Sequence, residues 1–387
     1  MNIGIDIRPM MTSPRTGVGE YTFELLDAVF KIDQNNQYFL YYNASKQTST
    51  NLPTWNQPNV HYVITHYPNK LFNSAIKLLS RPRLDKIISK KCNLTNGLDC
   101  FYSPNLNFVS LSSKTKYILT IHDLSFEFFP EFFSKKQILW HGAVNPKKQC
   151  QRADTILAPS ENTKRDIMNY YKIEEKKIKV IYPGLSPIFN SINNEQLSTN
   201  KESVKQKYNL PNHYILFLGT IEPRKNIVGL IEAFEKVYSN LPIPHHLIIA
   251  GANGWSNKEI FNRAAYSPIK DHIKFIGYIN SEDKPALYSN ASLFIYPSFY
   301  EGFGFPALEA MAMGAPVITS NRSSLLEVAG DAAYLINPLQ TNSIIQAILD
   351  ILNKPELRAR LIKKGRERAQ LFSWEKAAKE WITTITN

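Results

Sequence analysis

Short apolar runs rich in β-branched and aromatic residues recur along the chain, separated by longer segments with helical spacing. In the first half the runs are "NIGIDI" (2–7), "YFLYY" (38–42), "HYVIT" (61–65), "YILTI" (117–121), "DTILAP" (154–159) and "IKVIYP" (178–183). Each predicts a strand, and the helical patterns between several of them predict a parallel sheet covered by helices on both faces. The alternation stops at residues 185–207, "LSPIFNSINNEQLSTNKESVKQK". That stretch is polar, rich in Asn and Ser and without a sustained apolar period, so it predicts an interdomain connection. Strands then resume with "YILFLG" (214–219), "HHLIIAG" (245–251), "IKFIGY" (273–278), "ASLFIYPS" (291–298), "PVITS" (316–320) and "AYLIN" (333–337). The expected architecture is α/β, two doubly wound domains in tandem over 1–190 and 191–370, with a cleft between them.

Length agrees with this division, because 387 residues exceed the size at which one hydrophobic core keeps growing. The N-terminus has no basic region followed by an apolar one, and no apolar run approaches the roughly 18 residues of a membrane span. A cytoplasmic protein is expected. Cys92, Cys100 and Cys150 lack zinc-ligand spacing and fit reduced thiols, which makes the "NLT" at Asn93 a chance sequon.

Charge adds one feature. The net charge is +12, and residues 1–190 carry 24 Lys and Arg against 15 Asp and Glu, while 191–387 carry 21 against 18. Much of the excess lies in "NKLFNSAIKLLSRPRLDKIISKKCN", where Lys70, Lys77, Arg81, Arg83, Lys86, Lys90 and Lys91 alternate with Leu71, Phe72, Ile76, Leu78, Leu79, Leu84, Ile87 and Ile88. Residues 70–91 can lie on an anionic membrane or receive an acidic partner. The plainer reading is a solvated helix pair broken at Pro82. No zinc finger, RRM signature or other reader motif accompanies the charge, so nucleic acid is not an expected partner.

In doubly wound sheets ligands bind beyond the carboxyl ends of the strands. One such end is "SLFIYPSFYEGFGFPALEAMAMG". The strand leads into a loop with Gly302 and Gly304, which let the backbone approach a ligand, and then into a helix with Pro306 in its first turn. Free N–H groups at that helix start favour an anion. Glu301 and Glu309 are expected in the same cavity, where carboxylates accept hydrogen bonds from sugar hydroxyls. Alternatively Glu309 complements the helix dipole and Glu301 is solvated. A second strand end is "YILFLGTIEPRKNIVGL", where Arg224 and Lys225 precede a helix expected to be capped by Asn226. Cations oppose the dipole at that place, and a bound diphosphate reverses the sign. Two exposed surface cations are the alternative.

"GTIEPRKN", "FIGYINSEDKPALYSNASLFIYPS", the Glu301/Glu309 pair with seven residues between, and "GAPVITSNRSSLLEVAGDAAYLINP" together resemble the retaining glycosyltransferases of family four, with the GT-B fold. The likeness extends from "GIDIRPMMTSPRTGVGEYTFELL" through "IHDLSFEFFPEFFS" and "VIYPGL" to "FSWEKAAKEW". It implies two Rossmann-like domains facing each other across a cleft, the C-terminal helix 371–387 returning to the first. It also implies site roles. Arg224 and Lys225 match the pair that holds the donor diphosphate, Glu309 the glutamate on the ribose hydroxyls, and Glu301 the one facing the donor sugar. The backbone around Phe303, Gly304 and Phe305 would touch sugar and phosphate, and Gly277, Tyr278 and Ile279 would border the base. Gly17 and Gly19 match the glycine loop near donor phosphate and acceptor, and His122 matches a histidine lining the reaction centre. Ser160 is read as a helix N-cap.

No Asp-x-Asp occurs, so no obligatory metal or other cofactor is expected, with Arg224, Lys225 and helix N-termini neutralising the leaving group. The resemblance implies retention of anomeric configuration, with the departing phosphate accepting the acceptor's proton. Among relatives the chain is similar to bacterial mannosyltransferases of surface polysaccharide assembly. The expected donor is therefore GDP-mannose and the acceptor a glycan or lipid-linked glycan. A UDP-sugar donor, a nucleotide-sugar epimerase, a glycan phosphorylase and a non-catalytic glycan-binding protein are the alternatives.

Overall fold

The computed structural model describes residues 1–44, 52–189 and 194–386, and it divides into two compact units. The first comprises Met1–Leu124, Lys135–Gly184 and Ser373–Asn387, and the second Ser125–Ser134 and Leu185–Phe372. The boundary expected at 190/191 lies outside the described residues.

The first unit is built on β1 (Asn2–Asp6), β2 (Gln37–Asn43), β3 (Val60–Thr65), β4 (Cys100–Ser103), β5 (Lys116–Thr120), β6 (Thr155–Ala158) and β7 (Ile178–Val180). They form one parallel sheet in the order β3-β2-β1-β4-β5-β6-β7. The strand order reverses between β1 and β4, which makes their carboxyl ends the switch point of this sheet. The first-half strands read from the sequence are all present, and β4 is an addition. "CFYS" is fully buried but too short to stand out as an apolar run.

The second unit repeats the plan with β8 (Tyr214–Leu218), β9 (His246–Ala250), β10 (Ile273–Gly277), β11 (Leu293–Tyr296), β12 (Val317–Ser320) and β13 (Tyr334–Ile336). The order β10-β9-β8-β11-β12-β13 is again parallel, with its reversal between β8 and β11. Residues such as Ile215, Leu216, Phe217, Ile248 and Phe294 are fully buried, as expected for strands covered on both faces.

Two segments differ from the sequence reading. Part of the polar stretch 185–207 is the helix Asn194–Lys207, anchored by buried Val204 and by Lys207 and Tyr208, which both bond Asp283 Oδ2, at 2.6 and 2.7 Å. Its run of polar residues leaves no period to read. Residues 125–134, "SFEFFPEFFS", belong with the second unit although they sit in the first half of the chain. Phe132 stacks on Phe299 and Phe133 on Trp255, each at 5.8 Å, and Phe129 lies 5.8 Å from the Tyr300 ring. The Trp255 indole N–H donates to the Phe132 carbonyl.

The closing helix Trp374–Thr386 packs in the first unit. Trp381 is fully buried 5.1 Å from Tyr102, and Trp374 meets Tyr21 edge-on at 5.5 Å. The chain leaves this unit at Gly184, where a Cβ would stand 2.0 Å from the Trp374 backbone nitrogen, so only glycine admits the crossing of the two segments.

Candidate active site

The loops after β8 and β11 meet at the switch point of the second sheet. After β8 the chain makes a 3-10 turn, Pro223–Lys225, before the helix Ile227–Val237. Asn226 occupies the N-cap position in a left-handed conformation, but it does not cap with its side chain as expected. Its Nδ2 donates 2.8 Å to the Pro338 carbonyl and ties the turn to a later loop. After β11 the loop enters the helix Phe305–Ala312 through Gly304, with Pro306 in the first turn as predicted. Gly304 has φ of 106°, and a Cβ there would lie 2.5 Å from Leu325 Cδ2, so conformation and space both require glycine.

Arg224 and Lys225 are not surface cations. Arg224 Nη1 donates to Glu301 Oε2 at 3.0 Å and to the Tyr300 carbonyl at 2.7 Å, and its Nη2 donates to Glu222 Oε1 at 2.6 Å. Lys225 Nζ donates to Glu301 Oε1 at 2.5 Å and to the Tyr296 hydroxyl at 2.7 Å, with Glu222 Oε1 3.9 Å away. Glu222, Lys225 and Glu301 are buried. Desolvation pushes the Glu301 carboxyl up, but Arg224 and Lys225 outweigh it and hold the group down at about 2. Burial, reinforced by Arg224, lowers Lys225. Burial next to Glu301 pushes the Tyr296 hydroxyl well above its ordinary range, so it stays a neutral donor and acceptor.

The loop carrying Glu301 is held by its backbone. Glu301 N–H donates 3.0 Å to Ser323 Oγ, and Ser324 Oγ donates to the carbonyls of Glu301 and Phe303 at 2.8 and 3.0 Å. Glu309, one helical turn beyond Phe305, is also buried. Its Oε2 accepts from the Tyr288 hydroxyl at 2.8 Å and its Oε1 lies 3.7 Å from Lys284 Nζ. At the end of β10, Gly277 has φ of 75°, Tyr278 is half exposed and Ile279 is buried.

In the first unit, Thr16 caps the helix Gly17–Ile32 by accepting from Gly19 N–H. A Cβ on Gly19 would lie 2.9 Å from the Pro9 carbonyl oxygen, whereas one on Gly17 would meet nothing. His122 follows β5, and its Nε2 lies 2.8 Å from the Pro104 carbonyl, beyond β4. A carbonyl only accepts, so Nε2 carries the proton and the neutral ring presents Nδ1 as an acceptor. Burial lowers its pKa, against the opposing pull of Pro104 and Asp123. Tyr21 packs edge-on to the ring at 4.8 Å.

Comparison with known proteins matches the model for glycosyl transferases group 1 to residues 198–368 and that for Glycosyltransferase Family 4 to residues 16–187. O-antigen chain mannosyltransferase B of Escherichia coli is 29% identical over 377 residues, 95% of each chain. The serotype-specific mannosyltransferase WbdA of the same organism is 31% identical over 61% of this chain and 29% of its own length. Sucrose-phosphate synthase from Thermosynechococcus elongatus superposes with a TM-score of 0.74 at 21% identity over 99% of this chain and 98% of its own, a likeness of fold. The chain is a GT-B glycosyltransferase of the family-four type.

In this glycosyltransferase the structure brings Arg224, Lys225 and Glu301 into direct contact and places Glu309 on the helix that follows. Gly302, Phe303, Gly304 and Phe305 form the link between the two glutamates. Sequence reasoning missed Glu222, Tyr288, Tyr296, Ser323 and Ser324. Glu222 was visible in "EPRKN" as a carboxylate two residues before a cation pair. The tyrosines read only as strand and helix core. Ser160 caps its helix, accepting from Thr163 N–H at 3.1 Å, and Thr163 Oγ1 donates to the His122 carbonyl at 3.2 Å.

The basic segment forms the helices Asn69–Leu79 and Leu84–Lys91. Phe72, Ile76, Leu84 and Ile88 are buried, whereas Leu71, Leu78 and Leu79 are at least 71% exposed beside Lys70 and Lys77. Among the described residues no helix is long and apolar enough to cross a membrane.

Proposed function

We propose that this glycosyltransferase moves mannose from GDP-mannose to a glycan or lipid-linked glycan acceptor in surface polysaccharide synthesis, with retention of configuration. The observation that carries the donor site is the buried Arg224–Lys225–Glu301 cluster at the sheet's switch point, with Glu309 eight positions along. A guanidinium fork and an ammonium at such a place suit a diphosphate, whose charge grows as its bond to the sugar breaks. Mannose is favoured by the mannosyltransferase relatives.

Glu309 takes the ribose hydroxyls, Glu301 the donor sugar, and the backbone of Phe303 to Phe305 both sugar and phosphate. Gly277, Tyr278 and Ile279 border the base. Gly17, Gly19 and His122 serve the donor phosphate and the acceptor, with His122 neutral at physiological pH. The departing phosphate accepts the proton of the attacking hydroxyl, and the cations neutralise it without a metal. Leu71, Leu78 and Leu79, flanked by Lys70, Lys77 and Arg81, rest on anionic lipid, where a lipid-linked acceptor is presented.

Calorimetric titration of GDP, UDP and ADP without metal, with Lys225→Ala as control, tests the reading. GDP binding that the substitution removes supports it, UDP binding instead reassigns the donor, and no binding of any nucleotide overturns it.

A further inference from the structure

The proposed diphosphate site already holds its own anions. Arg224 and Lys225 contribute two positive charges, and Glu301 and Glu222 two negative ones, so the buried cluster sums to zero. A diphosphate brought to the same N–H groups adds at least two negative charges to a neutral, water-poor site, which is costly unless a carboxylate gives way. We propose that the donor diphosphate displaces the Glu301 carboxylate from Arg224 and Lys225 while Glu222 stays as the fixed counterion, so that donor binding itself releases Glu301 to the sugar hydroxyls. This rests on the donor-site reading above.

Two features decide which carboxylate moves. Glu222 immediately precedes the 3-10 turn that carries both cations, is hydrogen-bonded to Arg224 and is 1% exposed against 7% for Glu301, so its carboxylate has the less room to leave. Glu301 is held by backbone bonds to Ser323 and Ser324, and only its side chain reaches the cations. Rotation about its side-chain bonds therefore frees both cations with the loop in place. Tyr296 keeps its bond to Lys225 throughout and positions the ammonium. The exchange also frees for the sugar hydroxyls the acceptor sites of Glu301 that Arg224 and Lys225 occupy.

The test is calorimetry with pyrophosphate, which has no ribose, and with GDP, on the full chain and its E301Q, E309Q and E222Q variants. Removing a competing carboxylate from direct contact should tighten pyrophosphate about tenfold or more in E301Q. E309Q loses the same charge but touches neither cation, so its gain reports the altered field alone and should be several times smaller. E222Q also loses a charge, one in contact with Arg224, so it should tighten pyrophosphate through the field, but by less than E301Q, because the Glu222 carboxylate does not have to be displaced. GDP should follow pyrophosphate in E301Q while glycosyl transfer falls. Equal gains in E301Q and E309Q, or unchanged or weaker binding in E301Q with a wild-type melting temperature, overturn the exchange without touching the donor site. If E301Q folds poorly, E301D, whose shorter arm still carries the charge, should tighten pyrophosphate by less than tenfold, and weaker binding there overturns the proposal. Should the wild type bind no nucleotide, the donor reading fails first and the exchange with it.

Discussion

The two switch points occupy the same place in two sheets of the same winding and hold opposite chemistry. At the first, beside β1 and β4, stand a helix start with two glycines and a half-buried histidine whose pKa is lowered by desolvation. At the second, beside β8 and β11, four charges, three of them buried, cancel one another. The contrast separates what the fold supplies from what the residues supply. Parallel strands that diverge on either side of a reversal leave a crevice wherever they occur. Whether it takes a polyanion or a neutral hydroxyl depends on the few side chains in the loops beyond the strands.

The largest expected effect falls on the charged site. Lys225→Ala leaves Glu301 and Glu222 with one cation between them and should cost about 3 kcal/mol, roughly a hundredfold or more in GDP affinity by calorimetry. An unchanged affinity would erase the distinction between the two switch points. Next are the glycines. Gly304→Ala combines φ of 106° with a Cβ 2.5 Å from Leu325, and should lower stability by about 1–3 kcal/mol in denaturant unfolding. Gly17→Ala, with open space at its Cβ, should stay within about 0.5 kcal/mol. Glu309→Gln keeps the Tyr288 hydroxyl bond but loses charge, and should weaken GDP by about 1 kcal/mol, severalfold, through a hydrogen bond to a ribose hydroxyl. A 2′,3′-dideoxy analogue should not show that loss.

The smallest effect sharpens the neutral site. Because His122 is lowered from its ordinary 6.5, the unfolded chain takes up that proton before the folded one does. Its contribution to stability is complete above pH 6.5 and declines as pH falls from there through the folded value. His245 and His246 are also lowered by burial and slope the same way, so the informative quantity is the difference between wild type and His122→Gln. Stability curves that run parallel between pH 7 and 5 would mean that the ring is not held neutral.

Both sheets were legible because a strand covered on two faces must be apolar along its length, and twelve of the thirteen strands among the described residues were read from such runs. The exception, β4, is four residues long and includes a Cys and a Ser. Arg224, Lys225, Glu301 and Glu309 were legible because charges at strand ends oppose local expectation. Their arrangement was not. Nothing in "GTIEPRKN" says that the two cations turn inward to a glutamate 76 residues later, since that contact depends on β8 and β11 being neighbours. Tyr296 and Tyr288 were hidden for a related reason, because an aromatic inside a strand or helix reads as packing until the partner of its hydroxyl is known. The helix Asn194–Lys207 escaped because its polar residues give it no periodic face.

The ten residues from Ser125 to Ser134 have a consequence for recombination. They are encoded within the first half, between β5 and β6, yet their phenylalanines pack on Trp255 and on Phe299 and Tyr300, the two residues directly before Glu301 in the chain. A chimera spliced at Gly184 would thus carry a foreign ring set onto the loop that bears the glutamate, even though every residue of the second half was native. Exchanging acceptor halves among relatives while keeping donor chemistry requires grafting "SFEFFPEFFS" with the second half, as a third piece of the splice.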